Sequence, residues 1–517
     1  MTKGFCAAAG FFFLTVNFHP SACSQERNPL VGFVIHFDSI QSNRDGLKVL
    51  EVAKKMGAEV INLVPPAHVW ERPKDLAVLD GLIAKIGLLK MKLIVSRIDA
   101  SYLPDSKGER LNFLYDKILK EPGTMPTGAP TVDFFLATAH EPGYENWLEE
   151  ETRFYARRYG KLPNLIGFNL GPFSEPFVSQ RGGFLQFDKD PNLYEITQYT
   201  RAGADLWHDW LFQKFGGLEK IQNEYEVKSS SIKDIPIPKN ETDPLFGRPE
   251  RAYFDWGASL NDWLTKVYEQ CRAIWHKEGG GAPFIWQFSG YDVEKWIKAR
   301  PEVFAFNPVD WIGRADAVGL SIYTNNGYAD YGHSSIIGAT RLLNLAHDLG
   351  KGVFVMESGS ETPYPVLNES EFNFIATAAL ATAPQTFIYE FTKTPYYSQP
   401  HKNDGHLIDG RGRLQRPVQK AIRELFGKVK KPGVIEKPKI FVVLDPQIIR
   451  EHPEAGKAYQ KAFQLAGTMP VSFISPAQKK QAPSQATIWD PGTNSLEELD
   501  SLAHNLRNSS GERISLK

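Results

Sequence analysis

The chain has 517 residues, of which 42% are hydrophobic and 23% charged, with a formal net charge of −1. That length and balance suit one large globular unit plus a smaller one. A near-neutral chain has no global field to recruit nucleic acid or an anionic membrane, so neither is expected as a partner.

The first residues differ from the rest. Lys3 precedes an apolar run from Phe5 to Phe18, and Pro20-Ser21-Ala22-Cys23 follows. This predicts a secretory leader over residues 1–23, too short and too abruptly ended to span a membrane. The small residues before Cys23 resemble a bacterial lipoprotein signal, although Pro20 stands where an aliphatic residue is usual. The expectation is export to the periplasm, the cell surface (with a lipid on Cys23) or the medium, and no transmembrane segment in the mature chain. With Cys6 and Cys23 assigned to the leader, only Cys271 remains. One thiol makes neither an intramolecular disulfide nor a cysteine zinc site. Cys271 shares a helical face with Trp263, Val267 and Ile274, which predicts a buried apolar side chain.

Residues 28–430 alternate short apolar runs with amphipathic stretches. Strands are predicted at Val31–His36, Glu59–Val64, Lys92–Val95, Leu165–Leu170, Phe284–Phe288, Ala317–Ile322, Val353–Met356 and Thr386–Tyr389. Parallel strands need crossover connections, so this alternation predicts an α/β fold closed as a (β/α)₈ barrel. An open doubly wound sheet would show a glycine-rich phosphate turn after an early strand, and none is present. The stretch Gln180–Arg251, with helices near Ala204–Phe215 and Leu218–Glu224, reads as a large insertion in one βα loop. Lys430-Lys-Pro-Gly433 has linker composition, and residues 437–508 read as a small C-terminal α/β domain.

Hydrolysing a glycosidic bond takes one carboxylic acid to protonate the leaving oxygen and a second carboxylate as nucleophile or base. In a barrel such groups sit at the C-terminal ends of strands. Glu175 follows the fourth predicted strand and Glu357 ends the seventh. Arg97, after the third strand, is a candidate cation for holding the second carboxylate ionised, with a salt bridge on the barrel rim as the alternative. Trp70, Trp286 and Tyr389 are candidate sugar platforms, since flat rings stack on sugar C–H faces, although core packing uses the same residues. Trp286 and Gln287 end the fifth strand, and Tyr389 and Glu390 the eighth. Alternation lets only one member of each pair face into the barrel. His36, His68, His140, His401 and His406 show no ligand spacing, so no metal or other cofactor is expected.

Taken together, several segments resemble family-42 β-galactosidases of the large (β/α)₈ retaining glycosidase clan. They are His140-Glu-Pro-Gly-Tyr144, Arg157-Arg-Tyr-Gly160, Trp210-Leu-Phe-Gln-Lys-Phe-Gly216, Asp316 to Tyr323, Phe387-Ile-Tyr389 and Gly405 to Asp409. The resemblance covers about Val31 to Pro432. It implies Glu175 as acid/base and Glu357 as nucleophile, Tyr323 as a hydrogen-bond partner of Glu357, and His406 in the loop after the last strand as part of the substrate site. The implied activity is retaining hydrolysis of β-galactosidic or related linkages in oligo- or polysaccharides. Three departures stand out. Ser174 replaces the Asn that usually precedes the acid/base, Glu175 arrives about two residues late, and Asn62 stands where the clan has an arginine on its second strand. Leu170-Gly-Pro-Phe-Ser-Glu175 is closer to the β-amylase motif, and β-amylases invert. Two alternatives therefore stay open, an inverting β-amylase-like hydrolase and a non-catalytic glycan-binding lipoprotein. The partner in every case is a carbohydrate, with a homo-oligomer left open.

Overall fold

The computed structural model describes residues 28–36, 43–65, 69–97, 142–171, 178–180, 194–196, 198–288, 308–324, 343–360, 369–390, 416–430, 440–452, 455–466, 471–481 and 487–510. The leader assigned to residues 1–23, with Cys23, lies outside them.

Eight strands form a closed parallel barrel. They are β1 (Leu30–His36), β2 (Val60–Val64), β3 (Lys92–Ser96), β4 (Leu165–Asn169), β7 (Phe284–Phe288), β8 (Ala317–Thr324), β9 (Gly352–Ser360) and β10 (Thr386–Glu390). All eight strands expected from the sequence are present. They read as nearly continuous apolar runs because both faces are buried, one inside the barrel and one under the helices. Val34, Val60, Ile94, Ile285, Ala317, Phe354, Met356 and Ile388 fill the interior. Their chain neighbours Phe33, Ile61, Val95, Trp286, Val318, Val355 and Tyr389 join the outer core beneath the helices.

Helices α1 (Asn43–Lys55), α2 (Pro73–Leu88) and α3 (Pro142–Tyr159) follow the first three strands. Between β4 and β7 the chain leaves the barrel. The short antiparallel pair β5 (Val178–Gln180) and β6 (Tyr194–Ile196) comes first. Helices α4 (Arg201–Phe215), α5 (Leu218–Tyr225) and the 30-residue α6 (Pro249–Glu278) follow. Helix α4 starts where the Thr200 hydroxyl accepts from the Gly203 N–H, and it stops at Gly216, whose φ of 74° suits a residue without Cβ. Helix α6 returns along α3 and restores the outer layer. Helix α7 (Pro308–Arg314) precedes β8, and α8 (Asn344–Asp348), α9 (Glu369–Leu380) and α10 (Arg416–Val429) follow β8, β9 and β10 in turn.

Residues beyond the barrel form a separate parallel sheet in the order β12 (Val471–Ile474), β11 (Ile440–Val443), β13 (Thr487–Trp489). Helices α11 (Pro446–Glu451), α12 (Ala455–Ala466) and α13 (Leu496–Ser510) accompany it. A buried ion pair fixes this unit to the insertion. Arg450 on α11 donates to both carboxylate oxygens of Asp255 on α6, each at 2.7 Å, and to Glu224 on α5 at 2.6 Å. Asp255 also accepts from Lys214 at 2.9 Å and from the Tyr225 hydroxyl at 2.7 Å. Breaking such a pair from one side would strand a buried charge.

Among the described residues no helix is long and apolar enough to cross a membrane, and no group of histidine, cysteine and acidic side chains is placed to hold a metal ion.

Candidate active site

The strands run parallel, so all their C-terminal ends open at one mouth. Near that end the apolar interior gives way to polar side chains. His36, Asn62, Ser96, Asn169, Gln287, Ser321 and Glu390 are all buried there, each from a different strand, and Glu357 on β9 completes the circuit of eight.

Four of these groups form a continuous chain across adjacent strands. The Asn169 side-chain amide nitrogen donates to Ser96 Oγ at 3.2 Å and also to Gln287 Oε1. Gln287 Nε2 donates to Ser321 Oγ at 2.7 Å. Asn169 Oδ1 accepts the Gly171 N–H at 3.1 Å, so the same amide ties down the start of the segment leading to Glu175. Neutral amides and hydroxyls let the chain propagate without burying an unpaired charge. On the opposite wall Glu390 Oε1 lies 3.9 Å from His36 Nε2, within ion-pair reach but too long for a hydrogen bond.

Glu357 reaches the inner face through an irregularity. Val353 and Val355 belong to the outer core, so strict alternation would send Glu357 outward as well. The β8–β9 register shifts by one residue after the Leu320–Val355 pair, and the next pair is Ser321 with Glu357. Met356 is the extra residue. Paired residues of parallel strands share a face, so Glu357 stands beside inward-facing Ser321. A bulge that re-aims a side chain is a common device beside active sites. Strand β4 carries a similar shift, between Leu93 and Ile94 of its partner β3, and Asn169 lies beyond it.

The structure places the remaining sequence-derived candidates as follows. Glu175 and His406 lie outside the described residues, as does the side chain of Tyr323, whose backbone sits two residues beyond Ser321 on β8. Glu390 faces inward at the mouth. Trp286 and Tyr389 do not, which corrects their expected role as sugar platforms. Their neighbours Gln287 and Glu390 take the inward positions, and alternation turns both rings toward the helices. Trp286, 1% exposed, stacks on Trp311 at 4.9 Å and meets Tyr268 at 4.1 Å. Tyr389 is fully buried in the outer core. Arg97 is also turned outward, since it follows inward Ser96. It forms a buried ion pair with Glu151 on α3 and lies 4.3 Å over the Trp147 ring, so it does not supply a cation to the mouth. Trp70 is half-buried, tilted against Trp147 at 6.1 Å and Phe154 at 5.7 Å.

Sequence reasoning missed Asn169, Ser321 and Ser96 as lining the mouth, and named Gln287 only as the alternative to Trp286. The signal was available. Each is a polar residue close to the C-terminal end of an otherwise apolar parallel strand, where burial on both faces leaves few reasons for polarity except chemistry.

No protein-family profile matches the chain, and no curated protein is similar to it. Solved structures are similar in fold. A catalytic mutant of a family-42 β-galactosidase from G. stearothermophilus superposes with a TM-score of 0.66 at 14% identity, covering 90% of this chain and 68% of that one. The β-galactosidase from Rahnella sp. R3 gives 0.64 at 13% identity, covering 87% of this chain and 65% of that one. This chain therefore spans about two thirds of that enzyme's length. The catalytic domain of a β-amylase from Paenibacillus polymyxa gives 0.55 at 12% identity, covering 78% of this chain and 99% of that domain. The fold is the (β/α)₈ barrel that these glycosidases share.

Proposed function

We propose that this protein is an exported glycoside hydrolase acting on β-galactosidic or related linkages, with Glu357 as nucleophile and Glu175 as general acid/base. The observation that carries the reading is the one-residue shift in β9. It brings Glu357 onto the inner face at the C-terminal mouth, between Ser321 and the strand bearing Glu390. Glu175 follows β4 in the chain, and β7 and β8 stand between β4 and β9 in the barrel. Splitting a glycosidic bond requires two carboxyl groups facing one mouth, the role the sequence gives Glu175 and Glu357. The surrounding amides and hydroxyls suit the hydroxyl groups of a sugar.

Retention needs the two carboxyl groups about 5–5.5 Å apart, and inversion about 6.5–9.5 Å, to admit a water. Inversion is the second reading. It is favoured by Gly171-Pro-Phe-Ser-Glu175 together with the β-amylase likeness, and it would make Glu357 the base. The test is to incubate the protein with a panel of aryl and natural galactosides and follow the anomer first released by NMR. Release of the β-anomer from a β-galactoside supports retention, and the α-anomer supports inversion. Binding without release by the wild-type protein would overturn the enzyme reading in favour of a glycan-binding protein.

A further inference from the structure

The bulge that aims Glu357 is itself held from across the barrel. Asn62 on β2 is fully buried, and its Nδ2 donates to the main-chain carbonyl of Met356 at 3.1 Å. Strands β1 and β10 lie between β2 and β9, so this bond spans the interior and does not belong to the sheet ladder. Met356 is the residue by which β9 exceeds β8. An extra residue in a bulge leaves the ladder locally disrupted, and a buried carbonyl released from its ladder needs another donor. Asn62 supplies that donor one peptide before Glu357.

The Met356 side chain is accommodated from a second direction. It points into the interior, where Gly319 on β8 faces it, and a Cβ at Gly319 would come within 2.7 Å of Met356 Cγ. Gly319 thus leaves the room that the bulged residue fills. One glycine and one amide, on different strands, accept the two ends of the same misregistered residue.

From this we infer that Asn62 is a positioning residue for Glu357. It acts through the Met356 carbonyl, not by touching the carboxylate, and it holds the register that turns Glu357 toward the mouth. The inference rests on the reading of Glu357 as the attacking or water-activating group. Without the Asn62 donor the Met356 carbonyl seeks a ladder partner, and β9 loses the bias toward the shifted register. Substrate binding, which depends on the rest of the mouth, is little changed.

The test compares wild type, N62L and N62H with an aryl galactoside, each alone and in an E357A background rescued by azide. Leucine approximates the shape of asparagine without a donor, whereas a histidine Nδ1 can stand near the lost Nδ2. For N62L, kcat falls by up to about 10²-fold with KM within about twofold of wild type, and N62H recovers part of the loss. In E357A the azide ion attacks in place of the carboxylate and needs no aimed side chain, so N62L leaves the rescued rate unchanged. Thermal unfolding checks that each variant is folded, and G319A, which crowds Met356 from the other side, stands in if N62L does not fold. Wild-type kcat in folded N62L, or an equal loss in the azide-rescued background, overturns the inference. Failure of the underlying reading looks different: wild type releases no sugar, or E357A retains full turnover without azide, and the inference then falls with it.

Discussion

The two ends of the barrel use polar residues in opposite ways. At the base, charged side chains are satisfied outside the strands, by opposite charges or by main-chain groups. Asp316, just before β8, accepts from Arg272 at 2.6 Å and from the Phe284 N–H at 3.0 Å, and it pairs with His276 at 2.6 Å. Lys351, just before β9, donates to the carbonyls of Gly313 and Ala315 at 2.5 Å each, which satisfies the C-terminal end of α7. At the mouth the polar groups point inward and are mostly uncharged, joined hand to hand around a shared space. A base whose charges are already satisfied stabilises, whereas a mouth lined with aligned donors and acceptors has something to offer a ligand. This is the division of labour expected of the fold.

The largest effect that can break this contrast is on turnover. E357A should lower kcat by about 10⁴-fold or more while the folded protein melts close to wild type, because the side chain belongs to the mouth and not to the stabilising layer. Steady-state kinetics and a thermal melt of the same sample check both halves. A variant with normal turnover would remove Glu357 from the chemistry.

Arg97 sharpens the boundary between mouth and outer layer. It is 1% exposed and its partner Glu151 is fully buried. Replacing Arg97 by Met strands the carboxylate and should cost about 3–5 kcal/mol in urea unfolding, whereas the paired change R97M/E151L should recover most of the loss. If the recovered double variant has normal kcat, Arg97 is confined to stability. A large loss of kcat in a stable double variant would place the guanidinium in the chemistry after all.

Asp316 gives the contrast a pH dependence. Burial alone would raise its carboxyl, but the Phe284 N–H and the pairs to Arg272 and His276 outweigh burial and hold it below the ordinary value. A depressed folded pKa contributes stability that is present above the unfolded pKa and disappears as pH falls through the folded one. D316N should therefore cost about 1–3 kcal/mol at neutral pH, and the gap to wild type should close as pH drops below about 4. Parallel melting curves across that range are the check. A gap that stays constant would mean that the carboxylate's charge is not what stabilises the base.

The smallest effect concerns Cys271, between α3 and the barrel's outer core. Burial pushes its thiol up to about 12, so it stays protonated and unreactive in the native protein. In a C6S/C23S chain, labelling by a thiol reagent at pH 8 should proceed only as fast as global unfolding. Rapid labelling would show that the outer layer opens locally.

Much of the molecule was legible from sequence because the signals are local. Apolar runs of strand length, the helices between them, the insertion after β4 and the buried position of Cys271 all follow from periodicity and punctuation within a few residues of each element. Glu357 was expected to end its strand, whereas β9 continues to Ser360. Facing was harder. Alternation stated that only one of Trp286 and Gln287, or of Tyr389 and Glu390, could look inward, yet nothing local said which. Barrel closure decided it, and sent both rings into the helix layer. The register shift at Met356 is less local still. A bulge exists only relative to the neighbouring strand, and here it is held by an asparagine nearly three hundred residues earlier. The sequence by itself determined that this chain would close a parallel barrel with acidic residues at its strand ends. Only the tertiary structure decided which side chains enter the barrel, because facing depends on pairing between strands and no strand carries that information alone.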